Sequence, residues 1–460
     1  MAFYDQYKKI HCVGIGGIGI SGVAKFLLAK GKQVTGSDTQ ASEIISDLQA
    51  QGVQVFIGHS ASNLAVDVDL VVYTEAASAD NPERQAAAER NIPQLGHFDF
   101  LGALSKDYKT ICLTGTNGKS TTTAMTGLIF EAAGLDPTVF VGSLVPGWPA
   151  GNVRVGQSDI LIVEGDEYKQ KMVKLFPATT VITNIEADHL DVYRDLDHII
   201  STFRELAQKT TGEVIINAND ANSLQLIDEA EATFGTVETA DLRADNRRTE
   251  AGKQTFDLVS GSQSHGSVSL RIPGEFNVLN ALAAASAALS YGIAFEHIRS
   301  ALEAFGGIWR RFELVGRYNG ADIISDYGHH PTAIRGTLLA AKEFFPGHRI
   351  VLLFQPHQHS RTKELFHDFV RSFHEADVVI LSEVYEVAGR EGNGNNVSGR
   401  ELAREVERHM MEFSPRLKNV VYAVDLAKAE EEIRHNVKDG DVVIIMGAGD
   451  VDKVARNLVK

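Results

Sequence analysis

Short, wholly apolar runs punctuate the chain, each closed by glycine and followed by residues at helical spacing. One begins at His11, as HCVGIGGIGISG, and passes into VAKFLLAKG. A second begins at Thr110, as TICLTGTNGKSTTT, and passes into AMTGLIFEAAG. A third begins at Asp441, as DVVIIMGAGD, and passes into VDKVARNLVK. Apolar runs of this length fit strands covered on both faces. Strands that alternate with helices predict parallel sheets sandwiched between helical layers. The three units recur at no fixed period, which excludes a solenoid.

Further runs extend the pattern. Strands are expected near 10–15, 33–37, 53–57 and 69–73, then at 159–165, 179–185 and 213–220. The Ala-rich segment 277–289 reads as a buried helix. ADIISDY, RIVLLFQ, DVVILSEV and DVVIIMG supply a last set of strands. The fold class expected is α/β in three domains. These are an N-terminal Rossmann-like domain (1–106), a central P-loop ATPase-like domain (107–316) and a C-terminal Rossmann-like domain (317–460). Three is within reach of 460 residues, at roughly 100–200 residues per domain. The Gly/Asn-rich stretch 388–396 is expected to be a mobile surface loop.

Charge then narrows the partners. The formal net charge is −16. No basic block offers a footprint for nucleic acid. No apolar run is long enough to span a bilayer, and the start MAFYDQYKKI lacks the apolar core of a secretory signal. Cys12 and Cys112 each sit in an expected buried strand, so a reducing cytoplasm fits better than a disulfide framework. Anionic substrates would need positive groups gathered locally.

Those groups sit beside the glycine turns. In Gly115-Thr116-Asn117-Gly118-Lys119-Ser120-Thr121 the backbone N–H groups and the helix start can cradle phosphate oxygens. Lys119 would reach the terminal phosphates and Ser120 would ligate Mg²⁺. The spacing is two residues shorter than the general P-loop. Glu164 ends DILIVEG and His189 follows TTVITNI. At strand ends both point to a ligand crevice, and Mg²⁺ suits such oxygen ligands. Alone, they read equally well as solvated strand ends. Gly14-x-Gly16-x-x-Gly19 with Asp38 matches the dinucleotide fingerprint. Any ribose diphosphate, NAD or a UDP-sugar, could use that loop. Asp326, His329, His330, His357, His359 and Arg361 gather at two further strand ends, where a carboxylate substrate needs positive groups.

Taken together, these motifs resemble the Mur ligase family over essentially the whole chain. The resemblance rests on GIGGIGISG (14–22), GTNGKSTTT (115–123), VEGDE (163–167), TNIEADHLDVY (183–193) and NVLNALAA (277–284). It continues through RRFELVG (310–316), DYGHHPT (326–332), FQPHQHSRT (354–362) and GAGD (447–450). It implies a cytoplasmic, ATP-dependent ligase of the alanine-adding branch, which joins L-alanine to UDP-N-acetylmuramate in peptidoglycan precursor synthesis. It further implies that Gly16, Gly17 and Gly19 lie near the UDP diphosphate and Asp38 near the uridine. ATP would be held by Gly115, Thr116, Asn117, Gly118, Lys119, Ser120 and Thr121, with Asn277 at the adenine and Arg311 and Asp326 at the hinge. Lys119, Glu164 and His189 would be catalytic. Ser120, Glu164 and His189 would hold Mg²⁺ or Mn²⁺. His330, His357 and Arg361 would bind substrate. No nucleic acid or membrane partner is implied, and the assembly would be a monomer or homodimer.

Four positions depart from the branch pattern: Asn117, the run Tyr168-Lys169-Gln170, Phe276 and Gln358. No lysine occupies 192–207, where later-step Mur ligases carry a carbamylated one. Two alternatives remain at this point. A sister ligase that joins a ready-made peptide to UDP-N-acetylmuramate shares the nucleotide chemistry. An NAD-dependent dehydrogenase explains GIGGIG and Asp38 but leaves GTNGKST idle.

Overall fold

Three sheets carry the chain in the computed structural model, which describes residues 2–189, 192–250, 252–386, 397–413 and 419–460. The stretch 388–396, expected as a surface loop, lies outside the described residues, as do Leu190 and Asp191. The first sheet holds β1 (Lys9–Val13), β2 (Gln33–Asp38), β3 (Gln54–Ile57), β4 (Leu70–Tyr73) and β5 (Gln94–Gly96), in the order β3-β2-β1-β4-β5. All of its pairings are parallel.

The second sheet opens with β6 (Lys109–Thr114), β7 (Thr138–Phe140), β8 (Val153–Arg154), β9 (Ile160–Gly165) and β10 (Thr179–Ile182). It continues with β11 (Glu213–Asn217), β12 (Ala232–Gly235), β13 (Leu242–Glu250), β14 (Lys253–Ser260) and β15 (Gln263–Leu270). Its order is β15-β14-β13-β12-β11-β10-β6-β9-β7-β8. The strand that feeds GTNGKST, β6, therefore lies between β10 and β9, parallel to both.

The third sheet holds β16 (Glu313–Tyr318), β17 (Ala321–Asp326), β18 (Ile350–Phe354), β19 (Val378–Ser382), β20 (Asn419–Ala423) and β21 (Val442–Met446). Its order is β16-β17-β21-β18-β19-β20, with only β16 antiparallel. Its central strands, IVLLF and VVIIM, are buried along their whole length. Ile324, Leu352 and Ile444 pack into one layer while Ile323, Val351 and Val443 pack into the other. Two covered faces leave no polar alternation to read.

Several strands stop earlier than their apolar runs. TTVITNI ends its ladder at Ile182, because the next residues turn to the glycine loop 115–121. Thr183 Oγ donates to Asn117 O, and Thr183 N donates to Thr114 O at 2.9 Å. HCVGIG ends at Val13 because Gly14 turns with φ +78°.

The described residues fall into two compact units. One comprises 2–245, 257–268 and 279–304; the other comprises 246–256, 269–278 and 305–460, within the described ranges. Three α/β domains are thus present as sheets, while the first two sheets belong to one unit. The reason is a shared apolar core. Phe26, on the helix Ile18–Ala29 of the first sheet, packs against Phe140 of β7 with ring centroids 5.6 Å apart. Cys12, Leu161 and Val163 join the same cluster. Among the described residues no helix is long and apolar enough to cross a membrane.

On the other face of the first sheet lies a buried carboxylate. Glu83 accepts from Ser37 Oγ at 2.5 Å and Asn63 Nδ2 at 2.6 Å, with His11 Nε2 at 3.6 Å and His59 Nδ1 at 3.3 Å. Burial by itself would raise its pKa, but His11, Ser37 and Asn63 outweigh it and hold the carboxyl down to about 2. The stability this adds is complete above the unfolded value near 4.5 and is lost as pH falls through the folded value. Thermal unfolding of Glu83→Gln and wild type should therefore differ most above pH 4.5 and converge as pH falls towards 2. A pH-independent gap would show that the charge on Glu83 adds nothing.

Candidate active site

The phosphate loop is shaped by what crowds it. Gly115 and Gly118 have φ of +136° and +84°. A Cβ at Gly115 would lie 2.1 Å from Thr183 Oγ, and one at Gly118 would lie 2.3 Å from Asn280 Oδ1. Only glycine fits both the backbone and the space. Asn184 then clamps the loop: its Oδ1 accepts from Asn117 N and its Nδ2 donates to Asn117 O, both at 2.9 Å. Thr116 N donates to Asn184 O at 2.9 Å, and Glu186 N donates to Thr116 Oγ at 2.8 Å. Asn117 is gripped largely through its backbone, which leaves its side-chain identity open to change.

The helix Lys119–Ala132 starts from Gly118 with no side-chain cap. Its first N–H groups are thus left for an anion. Thr121 sits buried in that first turn. Lys119 donates to Gly115 O at 2.7 Å and Thr116 O at 3.0 Å, and pairs with Glu167 at 2.8 Å. Burial works against the ammonium, but Glu167, with Asp166 and Glu164 behind it, overrides that and lifts its pKa above the usual lysine value.

Two carboxylates divide the loop between them. Ser120 Oγ donates to Glu164 Oε1 at 2.9 Å, while Gly142 N donates to Glu164 Oε2 at 2.7 Å. His189 lies with Nε2 3.6 Å from Glu167 and 3.8 Å from Asp188, and its ring meets Tyr168 edge-on. Its backbone is left-handed, with φ +57°, an uncommon state for a non-glycine residue. Glu164 and His189 thus approach the loop from strands on opposite sides of β6. Glu164 meets Ser120, and His189 meets the Lys119–Glu167 pair. Among the described residues, no three His, Cys, Asp or Glu side chains are arranged to hold a metal by themselves. Ser120 Oγ and Glu164 do bring two hard oxygen donors together, a set that fits Mg²⁺ beside phosphate oxygens.

The loop at 14–19 is a second glycine turn in the same unit. Gly14 N and Ile15 N donate to Ser37 O at 2.8 and 3.0 Å, and Gly16 N donates to Asp38 Oδ2 at 2.9 Å. Gly17 begins the following helix without a side-chain cap. A Cβ at Gly19 would lie 2.5 Å from the His97 ring.

The other unit holds the remaining candidates. Asp326 accepts from Phe312 N at 2.9 Å and Gly328 N at 2.7 Å, and burial raises its pKa. Arg311 lies over the Tyr327 ring at 5.1 Å. His330 caps the helix Pro331–Phe344. His357 stacks on Tyr385, with rings 8° from parallel, and its Nδ1 is 3.3 Å from Arg361. Gln358 is buried with φ +68°. Asn277 is buried and donates to Pro273 O at 2.6 Å.

Several contributors carry no assignment from sequence. Glu167 was visible in VEGDE, but its pairing with Lys119 was not. Asn280 follows Asn277 by three residues, one helical turn, which is the signal that could have found it. Asn184 lies in the run TNIEADHLDVY, but its clamp on Asn117, like the stacking of Tyr385 on His357, depends on which strands become neighbours.

Comparisons with known proteins cover nearly the whole length. Residues 9–109 match the Mur ligase family catalytic domain, 113–288 the Mur ligase middle domain and 310–449 the Mur ligase glutamate ligase domain. The chain is 41% identical to a UDP-N-acetylmuramate–L-alanine ligase of Clostridium novyi, over 98% of this chain and 97% of that protein. It is 39% identical to the protein of the same name from Geotalea uraniireducens, over 99% and 98%. Its structure is similar to that of UDP-N-acetylmuramate-alanine ligase from Thermotoga maritima, with TM-score 0.84, 30% identity and 98% coverage of both chains. A murein peptide ligase from Psychrobacter arcticus has TM-score 0.69 at 23% identity, with 98% of each chain covered, a likeness of fold alone.

The Lys119–Glu167 pair predicts a specific exchange. Glu167→Gln should destabilise the free protein by roughly 1–3 kcal/mol, because a buried ammonium loses its counter-charge. Saturating ATP should shrink that deficit, since phosphates replace the missing charge. Melting curves with and without ATP measure it, and an equal deficit in both would mean that phosphate does not reach Lys119.

Proposed function

The chain belongs to the Mur ligase family, and on that footing we propose that it joins L-alanine to the lactyl carboxylate of UDP-N-acetylmuramate at the expense of ATP. The observation that carries this is near-full-length identity of about two residues in five to ligases of that name, with GTNGKST intact. The peptide-recycling alternative is supported less well, by solved ligases of that kind at 23% and 26% identity. A dehydrogenase would leave the Lys119 loop without a task. The same reading makes peptidoglycan precursor synthesis the setting, the cytoplasm the compartment and a monomer or homodimer the assembly.

The residues fit the chemistry in order. The 14–19 loop, with Gly16, Gly17, Gly19 and Asp38, takes the sugar nucleotide. The 115–121 loop takes ATP. A carboxylate is a poor electrophile, and its charge repels a γ-phosphate. Lys119 offsets that repulsion and stabilises the equatorial oxygens as the phosphoryl group moves to the carboxylate. Mg²⁺, held by Ser120 and Glu164 with His189 nearby, would supply further charge neutralisation at the phosphates. The neutral amine of alanine then attacks the acyl phosphate and phosphate leaves. His330, His357 and Arg361 are the groups assigned to the amino acid and the muramyl carboxylate, and Asn277, Arg311 and Asp326 those assigned to the nucleotide.

Phosphate release should require UDP-N-acetylmuramate, ATP, Mg²⁺ and L-alanine together, with a ready-made tripeptide inactive. Lys119→Ala should abolish turnover and leave calorimetric binding of UDP-N-acetylmuramate nearly intact. Activity with the tripeptide alone would transfer the chain to the recycling branch.

Glu164→Gln and His189→Ala should each lower kcat by about two orders of magnitude or more, as loss of a strong electrostatic contact can. ATP dissociation constants should change little, and raised Mg²⁺ should partly restore turnover. Near-wild-type kcat in both variants would reduce these residues to solvated strand ends.

A further inference from the structure

One buried residue touches both loops' supports, one through its side-chain amide and the other through its backbone carbonyl. Asn152 begins no helix and ends no strand of note, yet it is only 1% exposed. Its Nδ2 donates to Ile18 O and to Ser21 Oγ at 2.9 Å, in the first turn of the helix that follows the 14–19 loop. That helix comes close because residue 22 is glycine: a Cβ there would lie 3.3 Å from Asn152 Nδ2. Lys25, one turn on, donates to Ala150 O at 2.8 Å, lies 3.5 Å from Asn152 Oδ1 and pairs with Asp47 at 2.9 Å.

The other side of Asn152 leads to the phosphate loop. Its carbonyl accepts from Val141 N at 3.1 Å. The next residue, Gly142, donates to Glu164 Oε2 at 2.7 Å, and Glu164 Oε1 accepts from Ser120 Oγ at 2.9 Å. Gly142 is held tightly against that carboxylate, since a Cβ there would lie 2.9 Å from Glu164 Oε1. A shift of Asn152 is therefore felt at the start of one anion-binding helix and at the carboxylate that faces the other.

We propose that Asn152 is a positioning residue that couples the 14–19 loop to Glu164, so that the sugar nucleotide and ATP are held in one register. It deepens the ligase reading and rests on it, because that reading places the two substrates at these loops. In-line phosphoryl transfer needs the two substrates set within a fraction of an ångström of the reactive geometry. A hydrogen-bonded link across a buried core is stiffer than two loops ordered separately.

A double-mutant cycle in the full chain tests this. Asn152→Ala is measured in the wild-type and Glu164→Gln backgrounds, with thermal melting to establish that each variant is folded. If Asn152 acts through Glu164, its loss should cost about tenfold in kcat in the wild type and less than about twofold in Glu164→Gln. Calorimetry without ATP or metal should also show UDP-N-acetylmuramate binding weakened about three- to tenfold, since the helix start loses its pin. If Asn152→Ala does not fold, Asn152→Ser, which keeps a hydroxyl donor, takes its place in the same cycle. Equal losses in both backgrounds, or no loss in either, would overturn the coupling while leaving the ligase reading standing. A wild-type chain that binds no UDP-N-acetylmuramate would overturn both.

Discussion

Lys119 has to stay charged where there is little water, and much of the surrounding structure follows from that. Its ammonium is met by two loop carbonyls and by Glu167. Gly115, which supplies one of those carbonyls, and Gly118 both adopt positive-φ backbone in a space with no room for a side chain. Glu167 in turn needs a fixed place, and Tyr193 donates its hydroxyl to the Glu167 carbonyl to provide one. A buried charge whose partner is removed is far more costly than the pair is favourable. The loop is thus organised around one ammonium and its counter-charge, Glu167.

The sheet order explains why the supporting residues come from distant segments. β6 lies centrally, with β9 and β10 on either side. Residues at the ends of those strands therefore face the same loop although their segments are separated along the chain. Glu164 arrives from one side and Asn184 and His189 from the other. In the other unit, β17, β21 and β18 bring Asp326, Gly447 and Gln355 together in the same manner. Gly447 N donates to Asp326 O, and Gln355 N to Met446 O, each at 3.0 Å.

Much of this was legible from local pattern. IVLLF and VVIIM read as covered strands, and GTNGKST read as a glycine turn between a strand and a helix, which is where it lies. Strand ends were less legible, because apolar residues such as Ile185 continue past the point where the ladder stops. Their backbone is recruited instead by the loop next door. The Lys119–Glu167 pair, the Asn184 clamp and the Tyr385 stack on His357 depend on which strands become neighbours, which spacing alone does not fix. Three domains were expected from three glycine turns. Three sheets and three matched family domains answer that expectation; the apolar core that the first two sheets share was not legible, because Phe26 and Phe140 look like ordinary core residues.

That shared core bears on how the molecule could be taken apart. Phe26 covers one sheet and Phe140 edges the next, and each supplies the apolar surface that keeps the other dry. A cut in the short connection between the helix His97–Ser105 and β6 would divide the chain at a natural seam by eye. It would also leave a greasy scar on both fragments. The first sheet is therefore not a portable cassette, to be grafted elsewhere on its own. It is a lobe of a larger body, and a shuffled gene would have to exchange both sheets together.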